Sequence, residues 1–201
     1  MSETDERLDL LERALDQTRR AIAGARPDQA GLPTPCRSCN LRQLVNHVVQ
    51  DARFFAARLT GEDAGDRDAD VLDDDWAASY GRAADGLMEA WRRPGQVDGT
   101  ISLPFGEVPA TWSVDQQVAN FAVHGWDVAK ATGQPIEFDP EVGRAAMAFG
   151  RENLKPEFRG EEGEGKSFGP EVAVEPDAPL YDQVAAVFGR DPSEWEDRRP
   201  A

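Results

Sequence analysis

The sequence predicts an all-α protein whose main body is a bundle of four helices. Apolar residues recur at helical spacing in four long segments, and glycine or proline separates these segments. Predicted β-structure is confined to small appendages. With 201 residues, of which 40% are hydrophobic, the chain can bury a substantial core, and we expect a single domain over residues 1–201.

The first two predicted helices carry regular apolar stripes. The first covers residues 5–25 and ends before Pro27. The second begins at Asn40, which caps the helix while Gln43 completes a capping box, and it ends at Gly61. The stripe of the first helix consists of Leu8, Leu11, Leu15 and Ile22. The stripe of the second consists of Leu41, Val45, Val48, Ala52, Phe55 and Leu59.

The middle of the chain predicts two further long helices. The acidic, glycine-containing stretch 62–70 is expected to be an exposed loop. Three aspartates at 73–75 place negative charge at the start of the third helix, where the helix dipole favours it. Residues 101–110 predict a weak hairpin, because a proline near its end cannot donate to the ladder. Ser113 is then expected to cap a fourth helix that ends at Gly133.

The C-terminal part predicts smaller elements. A fifth helix is expected over residues 140–154, and the charged, glycine-rich stretch from about 155 to 167 is expected to be a mobile loop. Residues 168–174 predict a short strand, and residues 179–188 predict a last helix. These elements are the appendages of the four-helix body.

Composition excludes several classes of function. The chain has 22 basic and 38 acidic residues and a net charge of −16 at pH 7. This charge repels phosphate backbones and anionic lipid surfaces, which argues against nucleic-acid and membrane-surface partners. No apolar run reaches the roughly 20 residues that a membrane-spanning helix needs, and the acidic N-terminus lacks the layout of a signal peptide. We therefore expect a cytoplasmic protein.

The chain contains only two histidines, and both lie in predicted helices. Asn120, His124 and Asp127 are three or four residues apart, so they share one face of the fourth helix. On the second helix, Asp51 follows His47 by one turn. If these faces meet, His47, His124 and the residue at position 120 form a metal site, because imidazole commonly binds divalent transition metals. The alternative is a solvated helix face with no ligand.

Four segments resemble a known family in their sequence and order. They are residues 33–36 (PTPC), residues 41–49 around His47, residues 124–133 (HGWDVAKATG) and residues 168–192. Together they resemble the DinB-like superfamily, in particular its actinobacterial branch related to mycothiol-dependent maleylpyruvate isomerase. The resemblance covers nearly the whole chain. It implies a DinB-like four-helix bundle with short extra helices and a small β appendage.

The resemblance also implies a site. Members of the family typically hold a divalent metal, often zinc or nickel, and matching the motifs gives His47, His124 and position 120 as the ligands. His47, His124 and Asp127 are then the expected catalytic residues, with Asp127 orienting a histidine. Where the family pattern has a carboxylate or an imidazole, this chain has Asn120, and an amide oxygen is a poor ligand for transition metals.

Two functions follow from the resemblance. The first is a small-molecule enzyme in which a low-molecular-weight thiol, mycothiol, attacks an electrophilic carbon, as in isomerases and S-transferases. The second is a metal-free pocket protein that lost the metal site through Asn120 and binds a ligand or shapes a natural-product cyclisation. The expected partners are a small-molecule substrate and the thiol, and a homodimer is left open.

Cys36 and Cys39 form a CxxC motif just before the second helix. Thiolates are stabilised at helix N-termini, so in a cytosolic protein this pair predicts a redox-active or metal-binding role. However, no βαβ pattern precedes the motif, and a complete zinc site would need two further ligands. The alternative is an incidental buried pair of cysteines.

Overall fold

The body of the protein is a bundle of four long helices. The computed structural model describes residues 2–160, 166 and 168–198. Within it, α1 packs most extensively against α4, and α2 packs against α3. The bounds of the four helices are α1 (Glu3–Ala23), α2 (Leu41–Thr60), α3 (Trp76–Trp91) and α4 (Ala110–Thr132). The predicted all-α bundle is confirmed.

Side chains fix the start of the helix that carries the first histidine. The Asn40 side chain accepts a hydrogen bond from the Gln43 N–H at 2.9 Å, and the Gln43 side chain accepts one from the Asn40 N–H at 3.0 Å. The predicted capping box is therefore present. The helix ends at Gly61, whose φ of 74° lies in the left-handed region that glycine adopts without steric cost.

Helix α4 begins earlier than the sequence predicted. A two-stranded antiparallel hairpin, β1 (Thr100–Leu103) and β2 (Gly106–Pro109), leads directly into it, and Ala110 is its first residue. Ser113 is therefore not the cap. It is buried inside the helix, where its hydroxyl accepts a hydrogen bond from the Gln117 side chain at 3.1 Å. The predicted hairpin is confirmed, with Pro109 at its end.

Three shorter helices cover one side of the bundle. They are α5 (Pro140–Asn153), α6 (Leu180–Val187) and α7 (Pro192–Arg198). Helix α5 packs against α4, and α6 packs against both. Helix α7 was not predicted, although Asp191 accepts hydrogen bonds from the N–H groups of Ser193 and Glu194 and so begins it in the usual way.

The segment before α6 differs from its prediction. The strand predicted over residues 168–174 is wrong, because this stretch has no partner strand among the described residues and forms only an isolated bridge there, between Arg159 and Phe168. Its Val172 N–H instead donates to the Ala186 carbonyl in α6. Of the predicted mobile loop 155–167, residues 161–165 and 167 lie outside the described residues, and residues 156–158 form a short 3-10 helix.

Helices α1 and α4 approach each other closely beside the second histidine. The Thr18 hydroxyl of α1 donates to the Phe121 carbonyl of α4 at 2.8 Å. A Cβ atom at Gly125 would lie 2.8 Å from that hydroxyl oxygen. The glycine that follows His124 therefore permits the close contact that seats this part of α4 in the bundle.

Most large apolar side chains lie in the core between the helices. Phe105 and Phe158 are the large apolar residues that remain exposed among those described. Within the described ranges, no helix combines the length and the apolar character that a bilayer crossing requires.

Candidate functional site

The two histidines meet between α2 and α4. Their ring centroids lie 5.1 Å apart and the ring planes are nearly perpendicular, at 88°. Asp51, one turn after His47 on α2, places its Oδ2 atom 3.3 Å from the His47 Nε2 atom. Potential ligand atoms of His47, Asp51 and His124 all lie within 4.8 Å of one another. Bonds from a transition metal to nitrogen and oxygen are about 2.0–2.2 Å long, so small side-chain rotations would bring the three atoms to one ion.

The site opens to solvent on the side of α2. The His47 side chain is 49% exposed, whereas the side chains of His124 and Asp51 are 9% and 7% exposed. Despite the exposure of His47, desolvation lowers its pKa; the charge of Asp51 opposes this effect and His124 adds to it. The arrangement gives one accessible imidazole at the mouth and two buried groups behind it.

Both oxygens of Asp51 are occupied by protein donors. Arg67, from the loop after α2, pairs with the Oδ1 atom and lies over the Phe54 ring, 4.2 Å from its centroid. The side-chain amide of Asn120 donates to the Oδ2 atom at 3.0 Å. The carboxylate is thus held in place, and its charge is balanced by the Arg67 guanidinium.

Asn120 takes part in the site as a hydrogen-bond donor. It lies on α4 one turn before His124, as the sequence predicted, but its NH2 group points to Asp51. The carboxylate grouped with both imidazoles is that of Asp51, one turn after His47 on α2. Direct ligation by Asn120 stays a prediction.

Asp127 orients His124 from the buried side. Its carboxylate is fully buried; the Oδ2 atom lies 3.2 Å from His124 Nδ1 and 3.1 Å from Arg190 Nη2. Burial raises the pKa of Asp127, but Arg190 and His124 outweigh it and leave the pKa below its usual value. Because an ionised carboxylate only accepts, the hydrogen in the first contact belongs to Nδ1, and the Nε2 atom of a neutral His124 carries a free lone pair.

A glycine contact places Arg190 in this network. Gly189 has a φ of 81°, and a Cβ atom built on it would lie 2.7 Å from the backbone of Gly169. The chain therefore turns sharply after α6, where the Arg190 N–H donates to the Ala185 carbonyl at 2.9 Å. The turn aims the guanidinium at Asp127. Arg190 lies in the last of the four segments that resemble the family, but no role was predicted for it.

Gln117 lies one turn before Asn120 on the same stripe of α4 and has a structural role. Its side-chain carbonyl accepts a hydrogen bond from the Trp91 indole at 2.9 Å, and its NH2 group donates to Ser113. It is fully buried. Helical spacing alone could not separate this packing residue from His124, which lies on the same stripe.

The two cysteines lie in a turn before α2. Both are partly exposed thiols. In the part of the chain that the structure describes, neither belongs to a cluster of three or more metal-ligating side chains. The sequence-based alternative of a metal site at these cysteines therefore gains no support.

A surface groove of about 610 Å³ lies between α1 and α3, away from the histidines. Ion pairs between Arg92 and Glu12 and between Arg19 and Asp85 cross its lining. None of the histidine-site residues borders it. The groove is therefore no part of the candidate site.

Comparison with known proteins gives consistent results. Residues 11–129 match the family model described as the mycothiol maleylpyruvate isomerase N-terminal domain. The uncharacterized proteins MT0763 and Rv0738 of Mycobacterium tuberculosis are each 33% identical over 183 residues, covering 89% of this chain and 94% of theirs. The crystal structure of the mycothiol-dependent maleylpyruvate isomerase is similar with a TM-score of 0.63 and 16% identity, over 78% of this chain and 71% of that one.

Proposed function

Because the chain belongs to the mycothiol maleylpyruvate isomerase N-terminal domain family, we propose that it is a small-molecule enzyme of the mycothiol-dependent type. The reaction is an isomerisation or an S-transfer at an electrophilic carbon. The observation that carries the proposal is the convergence of His47, Asp51 and His124 at the mouth of the bundle. A cytoplasmic location, where small thiols are kept reduced, is part of the proposal.

The residues present fit a divalent transition metal such as zinc or nickel. Two imidazoles and one carboxylate are a common three-residue set for such ions, and this set leaves a coordination position for a small molecule. His47, Asp51 and His124 would hold the ion. When bound, the ion would lower the pKa of a coordinating thiol and so supply a thiolate at neutral pH.

The side chains around this set have defined tasks. Asp127 keeps the His124 Nδ1 atom protonated and thereby directs the Nε2 lone pair into the site. Asn120 orients the Asp51 carboxylate through its hydrogen bond. Arg67, which is 44% exposed, can exchange Asp51 for an anionic group on an incoming substrate. These residues therefore position reactants and ligands at the solvent-exposed opening where His47 lies.

The thiol chemistry requires one nucleophile and one electrophilic carbon. The thiolate sulfur adds to one carbon of a carbon–carbon double bond conjugated to a carbonyl; the π electron pair moves onto the carbonyl oxygen as an enolate, and the former double bond can then rotate. In an isomerisation the enolate electron pair re-forms the double bond, the carbon–sulfur bond breaks and the thiolate leaves. In an S-transfer the enolate takes a proton from solvent, the carbon–sulfur bond remains, and the thioether is the product.

A metal-free pocket protein is the second candidate, and one observation favours it. The Asp51 carboxylate already has a cationic partner in Arg67 and a donor in Asn120. A divalent ion must compete with Arg67 for this carboxylate. In the alternative function the pair of histidines binds a ligand or shapes a cyclisation without an ion.

Metal binding tests the proposal directly. We expect elemental analysis of tag-free protein to give about one divalent ion per chain. Asp51→Asn should weaken zinc binding at least about 100-fold, because a neutral amide replaces an ionised ligand. Asp115→Asn on α4, which removes an aspartate paired with Arg7 outside the site, is the matched control and should bind zinc normally.

A second variant separates the two candidates. Asn120→Asp adds the carboxylate that the family pattern expects, so it should raise zinc affinity about tenfold or more if the natural site is degenerate. Tight zinc binding by the unchanged protein, together with mycothiol-dependent turnover of an electrophilic substrate such as maleylpyruvate, supports the enzyme. A metal-free protein whose His47→Ala variant binds small molecules and reacts like the original would refute it.

A further inference from the structure

The cysteine turn lies outside the histidine site and has no task in the proposed thiol chemistry. We propose that Cys36 and Cys39 form a dithiol–disulfide site that reacts with small disulfides, with Cys36 as the attacking thiol and Cys39 as the resolving thiol. The proposal rests on the geometry of the turn and on the buried charge of Arg190. It does not depend on a bound metal.

A backbone turn brings the two cysteines close together. The Cys39 N–H donates to the Cys36 carbonyl at 3.2 Å, which closes a four-residue turn with Arg37 and Ser38 at its tip. The first and fourth Cα atoms of such a turn lie less than about 7 Å apart, and a disulfide needs about 4.4–6.8 Å. Side-chain rotation is therefore the main change that closure requires.

Neighbouring residues fix this turn before any disulfide forms. The Thr34 hydroxyl donates to the carbonyl oxygens of Cys36 and Cys39, at 2.7 and 2.9 Å. Pro33 and Asn40 pair across the base of the turn as an antiparallel bridge. The chain has thus already lost much of the backbone entropy that ring closure would otherwise cost.

The two thiols are electrostatically unequal. The hydrogen bond from Cys39 lowers the pKa of Cys36 to about 5; burial opposes this, and Arg190 and the Ser38 hydroxyl, 3.4 Å away, assist it. The same contact and burial raise the pKa of Cys39. Asp127 opposes the thiolate, but it is itself paired with Arg190. At neutral pH the thiolate therefore belongs to Cys36.

Small molecules can reach the pair. Both cysteines are partly exposed, and Arg37 and Ser38 between them are exposed. The charge of Arg190 acts on both thiols, and its side chain is only 11% exposed, so water screens this charge weakly. This arrangement of an accessible thiolate against a buried cation is typical of reactive cysteines.

The reaction balances with a small disulfide as the oxidant. The Cys36 thiolate attacks one sulfur of the small disulfide, forming a mixed disulfide and releasing one thiolate. Cys39 then loses its proton to solvent and attacks the Cys36 sulfur, which closes the internal disulfide and releases the second thiolate. Two electrons pass from the dithiol to the small disulfide, and the two released thiolates take up protons.

Selective labelling tests which cysteine attacks. Reduced protein is treated briefly with iodoacetamide at pH 6 and digested with trypsin, which cleaves after Arg37 and so separates the two cysteines. We expect labelling of Cys36 about tenfold faster than of Cys39, since its larger thiolate fraction outweighs its lower intrinsic nucleophilicity. In urea the preference should vanish. Equal labelling in the folded protein would overturn the assignment.

Reaction with bis(2-hydroxyethyl) disulfide tests the complete site. The mass of the unchanged protein should fall by two hydrogen atoms, and neither thiol should then react with maleimide. Reduction with dithiothreitol should restore the original mass and both reactive thiols. Cys39→Ser should stop as a stable mixed disulfide on Cys36, whereas Cys36→Ser should react about tenfold more slowly. Accumulation of mixed disulfides in the unchanged protein, or equal rates in both variants, contradicts the proposal.

Two arginine variants test whether the charge of Arg190 activates the Cys36 thiol. Arg190→Gln removes the buried charge and should slow labelling of Cys36 at pH 6 several-fold, about five- to tenfold. Arg37→Gln removes an exposed charge from the turn itself and is the matched control; because trypsin no longer cleaves between the two cysteines in this variant, peptide fragmentation locates the label. Circular dichroism establishes that each variant is folded. If both variants label like the unchanged protein, Arg190 has no part in activating the thiol.

Discussion

The strongest stability prediction concerns Asp127, the buried carboxylate behind His124. Its side chain has no exposed surface, and it faces Arg190 through two contacts, at 3.1 and 3.4 Å. Asp127→Asn keeps the shape and removes the charge. The Arg190 guanidinium, 11% exposed, would then remain in the interior without its anion.

The magnitude follows from this burial. Removing one partner of a buried ion pair typically costs about 3–5 kcal/mol, because the remaining charge stays desolvated. For a chain of this length each kcal/mol lowers the melting temperature by about 2–4 °C. We therefore expect Asp127→Asn to lower the free energy of unfolding by about 3–5 kcal/mol and the melting temperature by about 10 °C.

Chemical denaturation with a matched control measures this effect. Arg26 and Asp28 form an ion pair of similar two-contact geometry, at 2.9 and 3.0 Å, between side chains that are 63% and 70% exposed. Asp28→Asn should leave the denaturation midpoint unchanged, because water screens that pair. If the two variants shift the midpoint equally, burial does not decide the strength of the Asp127 pair and the reasoning is wrong.

Two further predictions concern backbone and pH. Gly189→Ala should lower the free energy of unfolding by about 2–4 kcal/mol, because its φ of 81° is strained for alanine and its Cβ atom would meet the Gly169 backbone at 2.7 Å. Gly65→Ala is the control: its φ of 70° is similar but no atom lies within 4 Å, so this variant should lose only the stability that the strained backbone costs. An equal loss of unfolding free energy in both variants would contradict the role of the close contact. Asp139→Ala should cost about 1–2 kcal/mol at pH 7 by removing the cap of α5. Burial raises the pKa of Asp139, but Arg13 and the backbone N–H groups outweigh it and leave the pKa lowered. The stabilisation by ionised Asp139 is therefore complete above the ordinary pKa of about 3.9 and is lost as the pH falls through the folded-state pKa. Urea denaturation at several pH values measures this. If the difference in unfolding free energy between the unchanged protein and Asp139→Ala does not narrow in acid, the prediction is wrong.

Local sequence signals predicted the helices well where the determining contacts are local. The capping box of Asn40 and Gln43 fixed the start of α2, and Gly61 marked its end, because these contacts span a few residues. The start of α4 was mistaken at Ser113, since the hairpin before it continues directly into the helix. The strand expected over 168–174 failed because a strand needs a partner, and a single segment cannot show whether one exists.

The candidate site was predictable in part for the same reason. Helical spacing places Asp51 one turn from His47, and places Asn120 and Asp127 one turn on either side of His124. It does not tell which polar residue of a stripe faces the site. Gln117 lies on the same stripe of α4 and instead bonds to Trp91.

The sequence by itself determined the helical bundle, the two histidines on separate helices and the position of the cysteine pair just before the second helix. These depend on periodicity, capping and spacing over short distances along the chain. Only the tertiary structure brought Arg67 to Asp51 and Arg190 to Asp127. Each arginine comes from a segment outside its partner's helix, and the burial that makes such an ion pair strong exists only after the helices have packed.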